Sequence, residues 1–469
     1  MKLKSIPQRL GYILGAQWTR DVSWTIFTML LARHSPAVMG QIVLALSFGY
    51  LVKTTADVGL NEFLLSTFAR GETRPRALLS EVSWLKLAML LLALGFTWLF
   101  TGWQHYSPEL RLIVLAIAAG LGLDAVCDSF FALCQARGRQ DVEMRIRVPA
   151  ALLGFGTGIV CILLDAPPIC IALYKPIESV CCLLFALKAL GRNPLAQVGL
   201  EGMLDLARHM KSGLIFTAMS LCSMAYNKIN VIFLKQHGTD ADVGRYGIAW
   251  EAVEGISVLV SSALLGKVIF PLLTRLWQQN REEFRKLAGQ TARTLWAGAL
   301  PVIFIICVEG DRILPLIYGP HYLSAVPSLQ LLTPCLATAF LHNLAAYAMI
   351  GMGRHKLLLL FYASGLLVNL FCCFVLIPLM PLEGTALTLT ITKVWVAILT
   401  VSFFQFAARP MSLGQWLLLL GAACASLALW NALRGVAVRE VAELAGLVPL
   451  LALFWRWRPP SPLEKRPAA

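Results

Sequence analysis

Residues 111–134 read RLIVLAIAAGLGLDAVCDSFFALC, a run in which Asp124 and Asp128 are the only charges after Arg111. A helix that crosses the hydrocarbon core of a bilayer needs about 20 residues, and this run is long enough. It lacks the alternation of polar and apolar residues that is typical of a membrane β-strand. Because backbone polar groups in hydrocarbon must be paired within the chain, the run predicts a transmembrane helix.

The whole sequence repeats this pattern. Of its 469 residues 58% are hydrophobic and only 14% are charged, a composition outside that of soluble globular domains. We therefore predict an all-α polytopic membrane protein of about fourteen transmembrane helices, although closely spaced runs near 148–190 and 413–455 leave twelve or thirteen open. The runs lie at 10–31, 40–66, 80–102, 111–134, 148–164, 169–190, 212–234, 244–270, 291–308, 326–350, 357–377, 384–406, 413–430 and 441–455.

Basic residues indicate how the chain is oriented. Most of the 40 Lys and Arg fall at the termini and in alternate connections, and the side richer in them is predicted to be cytoplasmic. Both termini and the loops 135–147 and 271–290 are therefore expected in the cytoplasm. Although the net charge is +14, the charges are scattered among loops, so no nucleic-acid partner is predicted. The basic residues of the two loops are Arg137, Arg139, Arg145, Arg147, Arg275, Arg281, Arg285 and Lys286.

No motif for catalysis or cofactor binding is present. The twelve Cys show no CxxC spacing, and there is no Gly-rich phosphate loop, His–Glu metal motif or nucleophile elbow. Asp124 and Asp128 have the spacing of a magnesium-binding carboxylate pair, but the second acidic cluster of a prenyltransferase is missing. We predict no enzymatic activity, no cofactor and no metal site.

A possible internal repeat divides the chain. Gly40 opens the second predicted helix and Gly244 opens the eighth, 204 residues later. This spacing favours two six-helix bundles, 1–190 and 212–406, joined by a cytoplasmic linker at 191–211 and followed by a helix pair at 407–455 and a tail at 456–469. A preference for the same hairpin turn would produce the same match, so the repeat stays open at this point.

Four segments carry a resemblance to a known family. The chain resembles the polysaccharide transport family of O-antigen and exopolysaccharide flippases, within the superfamily that also holds multidrug exporters and lipid II flippases. The segments are Met39-Gly40 with Asp57-Val58-Gly59-Leu60; Asp242-Val243-Gly244-Arg245-Tyr246 with Pro271-Leu272-Leu273; Leu316-Ile317-Tyr318-Gly319-Pro320-His321-Tyr322 with Ala325 and Leu329-Gln330-Leu331-Leu332; and Leu376-Ile377-Pro378-Leu379 with Glu383-Gly384-Thr385-Ala386.

The resemblance implies two bundles arranged in a V around a central polar cavity. It also implies that undecaprenyl-pyrophosphate-linked oligosaccharide moves from the inner to the outer leaflet of the bacterial cytoplasmic membrane by alternating access. Membrane lipid and a polysaccharide polymerase or glycosyltransferases are the implied partners. Many relatives carry an Asp in helix seven, but residues 225–230 read AYNKIN, so cation coupling through that residue is not carried over. The alternatives are a cation-coupled multidrug antiporter and, more remotely, a membrane prenyl- or glycosyltransferase.

Charged side chains within the spans are the candidate site residues, because each costs about 2.5–3.5 kcal/mol at the bilayer centre on insertion scales. Arg20, beside Asp21, is the first candidate for the pyrophosphate, since guanidinium groups bind phosphate in a bidentate manner. A buried ion pair is the alternative. Lys53, Asp57 and Asn61 share one helical face and predict a polar stripe, with a self-neutralising Lys53–Asp57 pair as the alternative.

Other charged residues complete the predicted site. Lys228 and Lys393 are further substrate-binding candidates, and Lys175 lies one turn from Glu178. A carrier of pyrophosphate-linked sugars should have a basic lining and an exporter of cationic drugs an acidic one, and the numbers of acids and bases in the spans leave this choice open. Lys86 and Lys267 are left out of the site because they can snorkel to the membrane surface. The candidates for ion coupling are Asp21, Asp124, Glu251 and Glu254.

Overall fold

A computed structural model describes residues 6–69, 75–190, 214–260, 265 and 269–457. The predicted linker 191–211, Lys267 and most of the predicted tail lie outside the described residues. Within the described part of the chain all regular elements are helices, so the all-α prediction is confirmed.

The chain divides into two compact units, Met1–Gly247 and Ile248–Ala469. The predicted domain boundaries stay a prediction. Unit 1 contains helices α1 (Ile6–His34), α2 (Pro36–Asp57), α3 (Leu60–Ala69), α4 (Pro75–Trp103), α5 (Pro108–Ala136), α6 (Gln140–Leu163), α7 (Pro168–Ala172), α8 (Tyr174–Leu190), α9 (Leu214–His237) and the first turns of α10 (Asp240–Val260). Unit 2 contains the rest of α10, α11 (Phe270–Gln279), α12 (Arg281–Tyr318), a 3₁₀ helix (Pro320–Ala325), α13 (Val326–Leu332), α14 (Pro334–Gly351), α15 (His355–Leu376), α16 (Pro381–Ala408), α17 (Leu413–Leu433) and α18 (Arg439–Trp457).

Every predicted apolar run overlaps a described helix, but the runs 40–66, 169–190 and 326–350 are each divided between two helices, and part of the run 244–270 lies outside the described residues. Eight described helical segments, with α7 and α8 counted together as Pro168–Ala189, are long and apolar enough to cross a membrane. A ninth span results if the pair Pro320–Leu332 and Pro334–Gly351, bent by 40°, is counted as one. The multi-pass membrane architecture is thus confirmed. The number fourteen stays a prediction, because helices such as α1 carry charges within their apolar stretch.

The predicted second helix is broken. Helix α2 ends at Asp57 and α3 begins at Leu60, and both Val58 and Gly59 adopt left-handed backbone conformations with φ of 45° and 68°. A β-branched residue rarely adopts this conformation. The predicted stripe through Asn61 therefore does not continue along one helix.

Two predicted loops are largely helical. Helix α6 already begins at Gln140, so little of the predicted loop 135–147 lies outside a helix. The predicted loop 271–290 consists of α11 and the start of α12, where the Asn280 side chain accepts hydrogen bonds from the backbone N–H groups of Glu282 and Glu283. Such a cap satisfies donors that the first turn of a helix leaves free, which explains why α12 begins there. The cytoplasmic location of both segments stays a prediction.

Helix α5 is the central helix of unit 1 and positions the candidate site. It packs against α2, α3, α4 and α8, and Phe130 and Phe131 lie in the core formed there. Asp124 and Asp128 are one turn apart on this helix, so the fold brings two carboxylates into the interior of the unit. Charges in such a position require partners from neighbouring helices.

The C-terminal helix pair is attached to α12 in unit 2. Helices α17 and α18 pack against each other, and the Ser426 hydroxyl donates to the Gly446 carbonyl across 2.6 Å. At the start of α18 the Arg439 guanidinium donates to both carboxylate oxygens of Asp311 on α12, at 2.9 and 2.6 Å, and to the Val308 carbonyl at 2.6 Å. Arg439 therefore contributes several of the polar contacts that connect the helix pair to α12.

Candidate functional site

The first group of charges joins α1, α5 and α8. Lys175 Nζ lies 2.7 Å from Asp124 Oδ2 and 2.6 Å from Glu178 Oε2. Arg20 reaches the same two carboxylates, at 3.7 Å from Asp124 and 3.5 Å from Glu178. The Ser179 hydroxyl also donates to Asp124, across 2.7 Å. Because the Lys175 side chain is only 2% exposed, it is the buried centre of this group.

The second group joins α2, α5 and α6. Lys53 Nζ lies 2.9 Å from Asp128, and Arg147 lies 2.8 Å from the other oxygen of the same carboxylate. Arg147 also pairs with Glu143 at 2.9 Å, and its guanidinium stacks over the Phe131 ring with 4.1 Å to the centroid. Since Asp124 and Asp128 are neighbours on α5, the two groups form one cluster.

The cluster is formally neutral but its charges are unevenly exposed. It contains four cations and four carboxylates. Three cations have side chains that are 31%, 28% and 25% exposed, whereas the carboxylates Asp124, Glu178 and Glu143 are only 9–10% exposed and Asp128 is 18% exposed. The accessible part of the cluster is therefore made up mainly of cation side chains. We call it the cation face and define it by Arg20, Lys53 and Arg147.

The cation face is suited to binding phosphate. A partly exposed cation within a membrane helix has to face water, lipid headgroups or a polar ligand, because contact with lipid tails is too costly. Arginine guanidinium groups make charge-assisted, often bidentate hydrogen bonds to phosphate oxygens. The carboxylates behind the cations hold their side chains in place and balance their charge when no ligand is bound. Among the described residues no group of three or more His, Cys, Asp or Glu side chains is arranged to hold a metal ion.

Lys228 lies beside the cation face. Its ammonium group lies 4.9 Å from the centroid of the Tyr50 ring, a cation–π contact between α9 and α2. Tyr50 is three residues before Lys53 and so lies on the same side of α2. The structure thus brings a third predicted substrate-binding cation close to the cluster, and Arg20, Lys53 and Lys228 all belong to unit 1.

The remaining predicted residues lie in other places. Lys393 is in unit 2, where its ammonium lies 4.6 Å from the Trp250 ring centroid, and Glu251 and Glu254 are half-buried on the part of α10 in the same unit. Asp21 is exposed and accepts a hydrogen bond from Gln17 at 3.0 Å. Adjacent residues on a helix point about 100° apart, which explains why Asp21 does not follow Arg20 into the cluster.

The structure corrects two expectations about Lys53, Asp57 and Lys86. Lys53 does not pair with Asp57, because its carboxylate partner is Asp128. Asp57 pairs instead with Lys86 at 2.6 Å, and Lys86 also donates to the Ala125 carbonyl at 2.8 Å. The prediction that Lys86 snorkels to the membrane surface is wrong, since its side chain is 0% exposed. Asn61 lies on α3, beyond the helix break, and its buried Oδ1 has no hydrogen-bond partner among the described residues.

Sequence reasoning left several members of the cluster off the list of site residues. Arg147 and Glu143 were assigned to a loop, and Asp128, Lys175 and Glu178 were noted without a place in the site. The spacing of Glu143 and Arg147, four residues apart, is typical of a helical ion pair and would have extended α6 toward its true start. No local signal identifies which acids and bases of different helices meet.

The two glycines of the predicted repeat contact each other. A Cβ atom added to Gly40 would lie 1.7 Å from the Asp240 carbonyl oxygen and 2.9 Å from the Gly244 nitrogen. A Cβ on Gly244 would lie 2.2 Å from the Pro36 carbonyl oxygen and 3.0 Å from the Gly40 nitrogen. The contact is reciprocal, and the paired positions are offset by the same 204 residues, as a local twofold relation between α2 and α10 requires. This geometry supports the repeat over a shared turn preference.

Comparison with solved structures places the fold in a transporter superfamily. The chain aligns with an inward closed conformation of the lipid II flippase MurJ at a TM-score of 0.72 and 11% identity, covering 96% of this chain and 98% of the other. An inward-facing multidrug resistance MATE family transporter of the MOP superfamily gives 0.63 at 14% identity, covering 83% and 94%. A MOP superfamily transporter from Pyrococcus furiosus gives 0.53 at 15%, covering 86% and 94%. At these identities the likeness shows the fold alone.

Sequence comparison identifies the family. No curated protein sequence matches the chain significantly. The profile of the family described as "Polysaccharide biosynthesis protein" matches residues 30–327, which is more than half of the chain and includes the whole charge cluster except Arg20. The chain therefore belongs to this polysaccharide biosynthesis protein family and has the fold of the MOP superfamily transporters.

Proposed function

We propose that this protein is a flippase for lipid-linked oligosaccharides. In this proposal it moves an undecaprenyl-pyrophosphate-linked repeat unit from the inner to the outer leaflet of the bacterial cytoplasmic membrane, with both termini in the cytoplasm. It catalyses no covalent reaction and needs no cofactor. The family match gives the process, polysaccharide biosynthesis, and the fold gives the transporter architecture.

The cation face is the observation that carries the proposal. A pyrophosphate linkage is the strongest anion on such a substrate, and Arg20, Lys53 and Arg147 offer cations with accessible surface in one unit. Lys228, on the Tyr50 ring, adds a further positive charge nearby. Each charge-assisted hydrogen bond to phosphate contributes roughly 1.5–3 kcal/mol, so a few such bonds can hold the headgroup out of bulk water.

The charge of the accessible side chains also distinguishes the proposed flippase from a multidrug antiporter. A multidrug antiporter that exports cations should expose carboxylates, whereas here the carboxylates lie behind the cations. The Pyrococcus furiosus transporter is described as having a binding pocket of reverse polarity that suggests a different function. Glu251 and Glu254 in unit 2 are acidic, as the lining of an antiporter for cationic drugs should be. The antiporter is therefore the second candidate function.

Asp124 fits a fixed counter-ion better than a coupling group. It is held by Lys175, Arg20 and Ser179 and is largely buried, so it has little access to water for proton exchange. Asp21, Glu251 and Glu254 stay as the candidates for coupling to an ion gradient. Membrane potential or consumption of the product on the outer side are the other sources of energy.

Deletion and complementation test the function. Loss of the gene should abolish a surface or secreted polysaccharide and leave its lipid-linked precursor on the inner leaflet. The variant R20Q, in which Lys175 still pairs with both carboxylates, should restore less polysaccharide while reaching the membrane, and R275Q, which removes one exposed arginine from unit 2, should restore it fully. Unchanged polysaccharide together with increased sensitivity to cationic dyes would favour the antiporter instead.

A further inference from the structure

A cluster of four aromatic side chains joins α1, α6 and α8 close to Arg20. The Trp24 ring lies 6.0, 6.2 and 6.4 Å from the rings of Phe27, Phe155 and Tyr174, measured between centroids. Phe27, Phe155 and Tyr174 are at most 3% exposed, whereas Trp24 is half-buried. Trp24 is therefore the member of the cluster that has an accessible surface.

The rings behind Trp24 are tightly packed. The Phe27 and Tyr174 ring centroids are 4.5 Å apart. Both side chains also contact α6 at Gly158, where an added Cβ atom would lie 2.7 Å from the Phe27 ring and 2.9 Å from the Tyr174 Cβ. Because this core is close-packed, the Trp24 indole has little room to turn inward. Its orientation is set before a ligand binds, which lowers the entropic cost of a contact with it.

Trp24 lies on the polar side of α1. It follows Gln17, Arg20 and Asp21 at the i, i+3, i+4, i+7 spacing of one helical face. The large apolar side chains that are exposed on α1 form a separate stripe, which is typical of a surface in contact with lipid tails. That stripe consists of Trp18, Val22 and Ile26. Trp24 therefore faces the same surroundings as Arg20.

Trp24 is about one helical turn from Arg20, on the side predicted to be the outer one. At a rise of 1.5 Å per residue, the two positions are about 6 Å apart along the helix axis. In a lipid-linked oligosaccharide the first sugar is joined to the pyrophosphate through one oxygen, so a phosphate on Arg20 places that sugar directly beside it. A pyranose ring has a face of C–H groups, and an indole ring offers such groups a broad apolar surface.

Tyr50 on α2 also lies near Arg20, but it is less suited to stacking against a sugar. Its ring already has the Lys228 ammonium group 4.9 Å from the centroid. A sugar on that face of the ring would displace a cation–π contact. Trp24 is therefore the better placed of the two aromatic side chains.

We propose that Trp24 binds the first sugar of the substrate, stacking against the C–H face of a pyranose ring while Arg20 holds the pyrophosphate. This role rests on the proposed flippase function and concerns the part of the substrate that distinguishes a loaded carrier from bare undecaprenyl pyrophosphate. Cations bind both lipids, since both contain the pyrophosphate. Trp24 makes the site selective for a carrier that holds a sugar.

Native mass spectrometry of the full-length protein in detergent tests this contact with two lipids, undecaprenyl pyrophosphate and the lipid-linked repeat unit isolated from the deletion strain. The wild type should retain the repeat unit in preference. Trp24→Leu should lower that preference about tenfold, the effect of one aromatic contact, and should still bind undecaprenyl pyrophosphate as the wild type does. Trp24→Phe keeps an aromatic face and should keep most of the preference. Trp18→Leu, the same change on the lipid-facing stripe of α1, is the matched control and should behave as the wild type.

Other results would overturn the sugar contact. An equal preference in Trp24→Leu and Trp18→Leu would mean that Trp24 does not contact the sugar. Loss of both lipids by Trp24→Leu and Trp24→Phe, together with a lower melting temperature, would mean that Trp24 only completes the aromatic cluster. A wild type that retains both lipids equally would remove the sugar contact and leave the flippase proposal standing, whereas a wild type that retains neither would contradict the proposed function itself.

Discussion

Arg20 forms ion pairs with buried acids and also keeps part of its side chain accessible to a ligand. It pairs with Asp124 and Glu178, and it still exposes 31% of its side chain, more than any other cation of the cluster. Both carboxylates keep Lys175 as a partner if Arg20 is removed. The residue is therefore better placed than Lys175 to bind a ligand, because its loss leaves no buried acid without a cation.

This difference predicts how Arg20 variants behave. Arg20→Lys keeps the charge but loses the planar fork, so transport should fall about tenfold, the equivalent of one lost charge-assisted hydrogen bond, at normal membrane levels. Arg20→Ala should fall further and should also reach normal levels. Transport can be measured as outer-leaflet exposure of the lipid-linked oligosaccharide in proteoliposomes, with Arg312→Lys as the control. Normal transport by Arg20→Ala would mean that the phosphate is held elsewhere, with Lys53 the next candidate.

Lys86 should behave in the opposite way. It is fully buried, pairs with Asp57 at 2.6 Å and donates to the Ala125 carbonyl. Lys86→Met leaves the Asp57 carboxylate without its cation, and breaking one side of a buried pair costs about 3–5 kcal/mol. The melting temperature in detergent should therefore drop clearly. Adding Asp57→Asn removes the stranded charge and should recover much of the loss, whereas a double variant no better than Lys86→Met would argue against this pairing.

At the scale of helices, the crossing of α2 and α10 depends on having no side chain at two positions. In the proposed alternating-access mechanism the two halves of the repeat separate and meet again at a defined place, and we expect the reciprocal contact between Gly40 and Gly244 to provide one. The Gln41 amide adds a hydrogen bond to Asp240 at 3.3 Å across the same crossing. By the predicted orientation, this contact is at the outer ends of the helices.

Gly40→Ala should therefore impair transport. Its Cβ would meet the backbone of Asp240, which cannot rotate away as a side chain can, so the helices have to move apart at a cost of about 1–3 kcal/mol. We expect a protein that folds with reduced thermal stability and transports at least tenfold more slowly. Gly95→Ala is the control, because a Cβ there meets no atom within 4 Å. If the two variants were equally stable and transported at the same rate, the contact between α2 and α10 would have no role in transport.

At the scale of the whole molecule, orientation in the membrane is the property that most needs a test. We expect the start of α12 in the cytoplasm, together with both termini. Glu283 is exposed there, so Glu283→Cys should react with a membrane-impermeant maleimide only after the cells are opened. The unmodified chain, with its twelve cysteines, provides the background. Labelling of intact cells above that background, in a functional variant, would contradict the predicted orientation and place the start of α12 on the outer side of the membrane.

The sequence by itself determined the environment and the class of fold. Long apolar runs can only be helices in hydrocarbon, so the all-α membrane architecture followed from run length, and the family could be recognised from short motifs. The breaks within helices could not be predicted from the length of the apolar runs. A break such as that at Val58 and Gly59 depends on packing that supports an unfavourable backbone conformation. The extension of α6 to Gln140 could not be predicted from run length either.

Only the tertiary structure decided which charges meet. Spacing along one helix shows which residues share a face, but the partner of a buried charge comes from another helix, and many pairings of the same acids and bases would be electrically equivalent. Packing of α2, α4, α6 and α8 around α5 selected Asp128 for Lys53 and Lys86 for Asp57, and it placed Arg147 in the site. It also decided that cations rather than carboxylates are accessible. How deeply each charged side chain is buried depends on the packing of helices that are distant in the sequence, so the order of residues along the chain does not reveal it.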